Sequence, residues 1–198
     1  MIKVLRNINY WLAEKYKKAF LFQPFIQPVL LHKIYRNKKE VNHLNGTTDE
    51  GITKTDLDCF IKYFVKRNYK FIDGDDLMSG KLDLNRCYIY LTFDDGYYNN
   101  FNALEILDKY NAKATFFIST EHVEKQKPFW WDVVYRERSI RGIHSTTIYK
   151  EIDKLKSLTF NELDKNMRNE FGEKYLTPLN NMDRPMNMEE LKIFSSHS

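Results

Sequence analysis

The sequence contains little cysteine, glycine or proline, which argues against several common classes of protein. Its two cysteines, Cys59 and Cys87, lie far apart and form no Cys-x-x-Cys or Cys/His motif. This favours packed free thiols in a reducing compartment over a metal knuckle or a secreted disulfide framework. Seven glycines and five prolines among 198 residues are too few for a collagenous or largely disordered chain. A length of 198 residues predicts one domain, or part of one.

Long apolar runs are also missing from the N-terminal region. Residues 1–22 carry a charge every few positions, so they resemble neither a signal peptide nor a membrane span, and a cytoplasmic location is expected. We predict that residues 1–27 form a helical segment packed on its own domain. Contact of this basic amphipathic segment with a membrane surface is an alternative that no other feature supports. The net charge of +4 is spread among interleaved acids and bases, which disfavours nucleic acid as a partner.

Apolar runs alternate with helical spacings over much of the chain. "PVLLHKIY" (28–35) predicts a buried first strand, and Thr53 with Asp56 predicts a capping box at the start of an amphipathic helix. A short strand and a helical turn capped by Asp75 or Asp76 are predicted next. The nearly continuous apolar run 87–93 indicates a strand covered on both faces of a parallel sheet.

A strand–helix–strand crossover follows this apolar run. The helix is predicted from a stripe of four residues, Phe101, Leu104, Leu107 and Tyr110, and "ATFFIS" predicts another buried strand. Such units build parallel sheets. From about 136 to 184 the helical patterns are not interrupted by a comparable strand, which predicts a helical insertion, and "PMNMEELKIF" predicts a further helix.

The segment "LTFDDG" places Asp94 and Asp95 at the end of the buried strand. Successive side chains on a straight strand point to opposite faces, so both carboxylates can line one pocket only if the chain bends there. Gly96 permits such a bend, and ligands of parallel α/β folds bind at this edge of the sheet. Asp-Asp-Gly is also a common turn tripeptide, and the three residues alone favour a simple turn.

The longer stretch "LTFDDGYYNNFNALEILDKYNAKATFFIS" resembles the first motif of the polysaccharide deacetylases, or carbohydrate esterase family four, with weaker similarity from about Val29 to "MNMEEL". This resemblance implies an α/β fold, namely an incomplete distorted (β/α) barrel of parallel strands over residues 28–198. It also implies metal-dependent hydrolysis of N-acetyl groups on amino sugars of a polysaccharide or glycolipid precursor. By the same resemblance, Asp94 is the general base and Asp95 a ligand of a divalent metal, usually zinc.

The sequence departs from the family pattern at its C-terminal end. The family's other metal ligands are two histidines in a His-Ser/Thr-x-x-His motif that follows a further strand, whereas His197 and Ser198 come directly after the last predicted helix. We expect these histidines and the family's later motifs to be missing from these 198 residues. One aspartate does not hold zinc usefully, so the chain as given is expected to be inactive, and a carbohydrate-binding remnant without catalysis is the alternative.

Several other residues are candidates for the site. Trp130 and Trp131 are candidate substrate-binding residues because flat indoles stack on sugar rings, although packing over the core explains them equally well. Asp132 is ambiguous in the same way, and His32 at the end of the first strand is more typical of a structural histidine. Phosphoryl transfer on a doubly wound sheet is a third class of function. It is disfavoured by the adjacent aspartates and by the absence of a phosphate-binding glycine loop.

Overall fold

The computed structural model describes residues 24–41 and 51–196. Its strands are β1 (Ile26–Leu31), β2 (Ile34–Tyr35), β3 (Ile52–Thr53), β4 (Lys70–Ile72), β5 (Tyr88–Phe93) and β6 (Thr115–Phe116). Its helices are α1 (Lys54–Val65), α2 (Gly74–Met78), α3 (Phe101–Tyr110), α4 (Thr120–Lys125), α5 (Trp130–Ile140), α6 (Ser145–Leu155), α7 (Phe160–Phe171) and α8 (Met188–Ser195). Short 3-10 helices occur at Tyr98–Asn100 and Gly172–Tyr175. No helix in the described ranges is long and apolar enough to cross a membrane.

Strand β5 is the centre of a parallel sheet. β1 pairs with it along one side, while on the other side β4 pairs with its first half and β6 with its last two residues. The sequence-based prediction of a mixed α/β fold with parallel strands is confirmed. Five of the six β5 residues are buried, as expected for a strand covered on both faces. Closure into a distorted barrel stays a prediction.

The first strand differs from its prediction. It begins at Ile26, within the predicted N-terminal helical segment, of which residues 1–23 lie outside the described residues. It is mostly exposed because it forms an edge of the sheet among the described residues, and it ends at Leu31. The second half of the predicted strand is β2, which is fully buried and pairs with β3 in a separate two-stranded sheet.

Helix α1 forms as predicted, with Thr53 and Asp56 in a reciprocal capping box. Leu57 and Ile61 on its inner face are completely buried in the core cluster that covers the sheet. The cap of α2 was predicted at the wrong residue. Asp73 caps this helix, because its Oδ1 accepts the backbone N–H of Asp76 at 2.7 Å.

Two further predictions are partly wrong. In α3 the buried residues are Ala103, Ile106 and Leu107, so the buried face is rotated from the predicted stripe and shares only Leu107 with it. Strand β6 contains two half-buried residues instead of the longer buried strand predicted from "ATFFIS". Only these two residues lie alongside β5 before the chain enters α4.

The helical insertion has a core of its own. Helices α5 to α7 and the 3-10 helix at Gly172–Tyr175 occupy the range in which the sequence predicts helices, although the first of them begins already at Trp130. Buried residues of these helices, including Val134, Ile148 and Met167, form a cluster distinct from the one around the sheet.

Candidate active site

The candidate site lies where β1, β5 and β6 end. The three strands are parallel, with Leu31 in register with Phe93 and Phe93 in register with Phe116. Their carboxyl ends therefore meet at one edge of the sheet, which is where ligands bind in parallel α/β folds. The backbone N–H of Asp94 still donates to the carbonyl of Leu31 at 2.9 Å, so the acidic pair begins immediately beyond the paired part of β5.

The chain bends sharply after β5, as the sequence required. Asp95 and Gly96 both have left-handed backbone angles, with φ of 74° and 81°. A side chain at position 96 would place its Cβ 3.1 Å from the Ile118 side chain, so space as well as conformation favours glycine there. The bend is held by two hydrogen bonds, from Ser119 N to the Asp95 carbonyl at 3.1 Å and from Met186 N to the Gly96 carbonyl at 3.0 Å.

The two carboxylates of the pair have different surroundings. Oδ1 of Asp94 is buried and has no hydrogen-bond partner among the described residues. The pKa of Asp95 is raised to about 6, chiefly by burial, with the negative charges of Asp132 and Asp94 acting in the same direction and His32 and Lys33 opposing them. A buried carboxylate oxygen without a partner, as in Asp94, is costly in a folded protein, and a raised pKa, as in Asp95, is common at functional sites.

His32 belongs to this group of residues. Its Nε2 lies 4.0 Å from Oδ2 of Asp95, and its backbone carbonyl accepts a hydrogen bond from the Asn100 amide at 2.7 Å. The sequence favoured a structural role because a lone histidine at a strand end is more often structural than catalytic. Only the parallel pairing of β1 with β5 shows that it faces the acidic pair.

A buried ion pair lies near the acidic pair. The ammonium group of Lys33 donates to Oδ1 of Asp132 at 2.5 Å, and both side chains are at most 1% exposed. The hydroxyl of Tyr97 donates to Oδ2 of Asp132 at 2.8 Å, and the Trp131 indole N–H donates to that hydroxyl at 2.9 Å. This network connects the end of β1, the turn after β5 and helix α5.

The network explains residues that the sequence left open or did not single out. Asp132 is a buried partner of Lys33, and burial raises its pKa in spite of that neighbour. Burial also raises the pKa of Tyr97, which keeps its hydroxyl protonated as a donor. Sequence reasoning missed Lys33 and Tyr97. The only signal for Lys33 was a cation inside the apolar run "LLHKIY".

The acidic group meets only part of the requirement for a metal site. Asp94, Asp95 and Asp132 outnumber the nearby cation Lys33, and the unpartnered Oδ1 of Asp94 is a free oxygen donor. Such an excess of negative charge favours a bound cation. However, no group of three or more His, Cys, Asp or Glu side chains in the described ranges is arranged to hold a metal ion. A complete set of ligands would need residues from elsewhere.

Trp130 and Trp131 lie at the start of α5, both half-buried, with ring centroids 5.5 Å apart and nearly perpendicular planes. Trp131 stacks on Phe129 with ring centroids 5.1 Å apart, and its indole N–H donates a hydrogen bond to the Tyr97 hydroxyl. Trp130 has no such polar contact in the described residues. Both indoles line a cavity of about 280 Å³ between α5 and α7.

Residues 81–156 match the family model of the polysaccharide deacetylases. This segment includes Asp94 and Asp95, so the resemblance inferred from its first motif is confirmed. An uncharacterised 30.6 kDa protein from the fumA 3' region of Geobacillus stearothermophilus is 38% identical, over 40% of this chain and 36% of its own length. The chain thus spans about a third of the curated relative that it matches.

Solved structures of deacetylases resemble this chain at low similarity. A putative polysaccharide deacetylase from Bacillus anthracis is 22% identical with a TM-score of 0.43, covering 61% of this chain and 38% of that one. A polysaccharide deacetylase from Bacillus cereus is 17% identical with a TM-score of 0.42, covering 80% and 50% respectively. These similarities are too low to assign a site or substrate.

Proposed function

We propose that residues 28–198 are the front part of a metal-dependent N-deacetylase. Its substrate would be an amino sugar of a polysaccharide or glycolipid precursor, and its product a free amine and acetate. The observation that carries the proposal is the buried, unpartnered Oδ1 of Asp94 beside Asp95, at a ligand-binding edge within the family-matched segment.

The chemistry requires two separate carboxylates. An amide is a poor electrophile and neutral water a poor nucleophile, and a bound divalent cation supplies acidified water and a polarised carbonyl. Asp95 would contribute an anionic oxygen to that cation. His32, whose Nε2 lies 4.0 Å from Oδ2 of Asp95, would be a candidate nitrogen ligand. Oδ1 of Asp94, which no described group engages, would accept the proton of the attacking water.

Zinc is the expected metal, and its remaining ligands would come from histidines outside the described residues. The 198-residue chain alone is then expected to be inactive, because a catalytic zinc site needs three protein ligands and Asp95 with His32 would supply two.

The proposal is tested with a protein that includes these residues and any sequence encoded after Ser198. Acetate release from N-acetylhexosamine oligomers should depend on added zinc and be abolished by a chelator. Asp94→Asn should lower kcat by about 10²–10⁴-fold while zinc binding, measured by calorimetry, persists. Asp95→Asn should weaken zinc binding itself.

Asp153→Asn is the matched control, since it removes a carboxylate that is 72% exposed on α6. It should change neither activity nor zinc binding. Absence of any metal-dependent acetate release, with Asp94→Asn indistinguishable from the parent, would contradict the deacetylase proposal.

A second candidate function is sugar binding without catalysis. The half-buried indoles beside an open cavity, together with the incomplete ligand group, favour it. Sugar binding by the 198-residue chain in the presence of chelator, lost in Trp130→Ala, would support this function. Trp130 is the better position to substitute. The Trp131 indole N–H donates to the Tyr97 hydroxyl, so a change at Trp131 would also remove a structural hydrogen bond.

A further inference from the structure

The helical insertion returns to the acidic pair through residues 183–186, which we call the return segment and which lead into α8. Two backbone hydrogen bonds join this segment to the turn after Asp95, from Met186 N to the Gly96 carbonyl at 3.0 Å and from Tyr98 N to the Arg184 carbonyl at 3.1 Å. Between these bonds, Tyr97 and Pro185 form an isolated antiparallel β-bridge. The return segment is therefore paired with the turn as one strand is paired with another.

A buried ion pair fixes the start of the return segment to helix α5. The guanidinium group of Arg136 donates to Oδ2 of Asp183 at 2.6 Å, and the two residues are 3% and 0% exposed. The Asp183 carboxylate also accepts the backbone N–H groups of Leu179 and Asn180, both at 3.0 Å. Because either charge left alone in the interior would be costly, this contact is expected to be retained whenever the chain is folded.

Helix α5 thereby contacts the turn by two routes. Asp132 lies four residues before Arg136, on the same face of α5, and accepts a hydrogen bond from the Tyr97 hydroxyl at 2.8 Å. Asp132 holds the side chain of Tyr97, while Arg136 acts through the return segment on the backbone at either side of it. Such support is needed because the left-handed backbone of Asp95, with φ of 74°, is unfavourable and persists only where its surroundings hold it.

We propose that Arg136 and Asp183 are positioning residues for the acidic pair, which hold the turn after Asp95 in the geometry that hydrolysis requires. They act through the return segment rather than on the substrate, so the helical insertion contributes to catalysis from a distance. The inference rests on the proposed function for its reaction, whereas the support of the turn can be measured in a chain that is inactive. Displacement of a reacting group by about 1 Å can lower a rate by about 100-fold, so loss of this ion pair has a measurable effect.

Asp183→Asn is the test variant. It removes the charge that pairs with Arg136 and keeps a side-chain oxygen for the two backbone N–H groups. Hydrogen exchange of the 198-residue chain is measured first, because it needs neither metal nor substrate. The amides of Tyr98 and Met186 should exchange about tenfold faster than in the parent, as expected for loss of a charged hydrogen bond, while the amides of β5 stay unchanged.

Two further variants give the comparison. Glu151→Gln is the matched control, because it removes the charge that pairs with Arg138, another arginine of α5, at 2.8 Å. Arg138 joins α5 to α6 and α7, so this variant should leave exchange in the turn unchanged. Arg136→Lys keeps a positive charge beside Asp183 and should accelerate exchange less than Asp183→Asn does.

The effect on the reaction is measured in a protein that includes any sequence encoded after Ser198. Asp183→Asn should lower kcat by about 10–100-fold per folded molecule and change KM little, because the acidic pair is displaced while substrate binding is not. Zinc binding, measured by calorimetry, should weaken by about tenfold, since Asp95 is the proposed ligand. A purely structural role would lower the folded fraction, which thermal unfolding reports, and leave kcat per folded molecule unchanged. Glu151→Gln should change neither kcat nor zinc affinity.

The outcomes separate this inference from the proposed function. Exchange at Tyr98 and Met186 that Asp183→Asn leaves unchanged overturns it, even if the parent releases acetate, and equal acceleration across β5 overturns it by showing a general loss of stability. Faster exchange with unchanged kcat and zinc affinity overturns the positioning role. Faster exchange in a protein that neither binds zinc nor releases acetate supports the coupling of α5 to the turn and overturns the deacetylase. If Asp183→Asn does not fold, Arg136→Lys is measured against the same criteria.

Discussion

Asp95 occupies a position that is unfavourable for a carboxylate in two respects. Its backbone is left-handed, with φ of 74°, and its side chain is only 18% exposed beside two other acids. Conformational and electrostatic cost of this kind is concentrated at functional sites. Because burial raises its pKa to about 6, the ionised form destabilises the folded chain unless a cation is bound.

The pH dependence of stability follows from this shift. The pKa of Asp95 is higher in the folded state than in the unfolded state. Its contribution to the free energy of unfolding is therefore fully present below about pH 4 and is lost as the pH rises through about 6. With chelator present, Asp95→Asn should therefore raise the free energy of unfolding by about 2–3 kcal/mol at pH 7.5 and by little at pH 4. Asparagine also tolerates the left-handed backbone.

Denaturant unfolding across this pH range measures the effect. Asp153→Asn controls for loss of a carboxylate, since its side chain is exposed on α6. An Asp95→Asn variant that is less stable than the parent at pH 7.5 would show that Asp95 has a favourable partner in the folded chain.

At the scale of elements, the Lys33–Asp132 pair fixes helix α5 to the end of β1. A buried ion pair gains little over apolar packing, but removal of one partner leaves an unpaired charge in the interior. Here both partners are almost completely buried, and Tyr97 and Trp131 continue the network towards the surface. The position of the acidic pair relative to α5 depends on these contacts.

A double-mutant cycle should show strong coupling in this pair. Lys33→Met and Asp132→Leu are each expected to cost about 3–5 kcal/mol, whereas the double variant should cost much less than their sum. Urea unfolding measures all three, and Tyr97→Phe, at about 1–2 kcal/mol, provides a milder variant if the single changes prevent folding.

The exposed pair Lys54–Glu105, at 2.5 Å, is the matched control for this cycle. Its glutamate is 79% exposed, so the coupling should be much weaker than that of the buried pair. Additive costs at positions 33 and 132 would mean that the two charges do not stabilise each other.

At the scale of the whole molecule, the sheet has an open edge in the described residues. β1 pairs only with β5 there, and its outward residues Ile26 and Leu30 are 41% and 54% exposed. An exposed apolar edge strand is a template for pairing with another chain.

The 198-residue chain is accordingly expected to self-associate as its concentration rises. Leu30→Lys should shift it towards monomer, because a charged side chain opposes pairing at an edge. Sedimentation velocity measures the shift. Leu84→Lys adds the same charge at a residue that is 85% exposed outside the sheet and should leave association unchanged. Equal association of both variants and the parent would exclude β1 as the contact.

Local signals in the sequence predicted the elements whose residues interact with near neighbours along the chain. The capping box of α1, the buried β5 and the bend after Asp94 depend on contacts within a few residues. The exposed β1 and the two-residue β6 were predicted less well, because burial and strand length depend on which neighbours a strand has.

The sequence by itself determined the parallel α/β class, the bend that carries the acidic pair and the resemblance of its first motif to the deacetylases. Only the tertiary structure decided that His32 lies beside Asp95, that Lys33 and Asp132 form a buried pair 99 residues apart, and that Trp130 and Phe160 line one cavity. The reason is physical. Periodicity and turn preferences act over a few residues, whereas these contacts are formed by strand register and helix packing between distant parts of the chain.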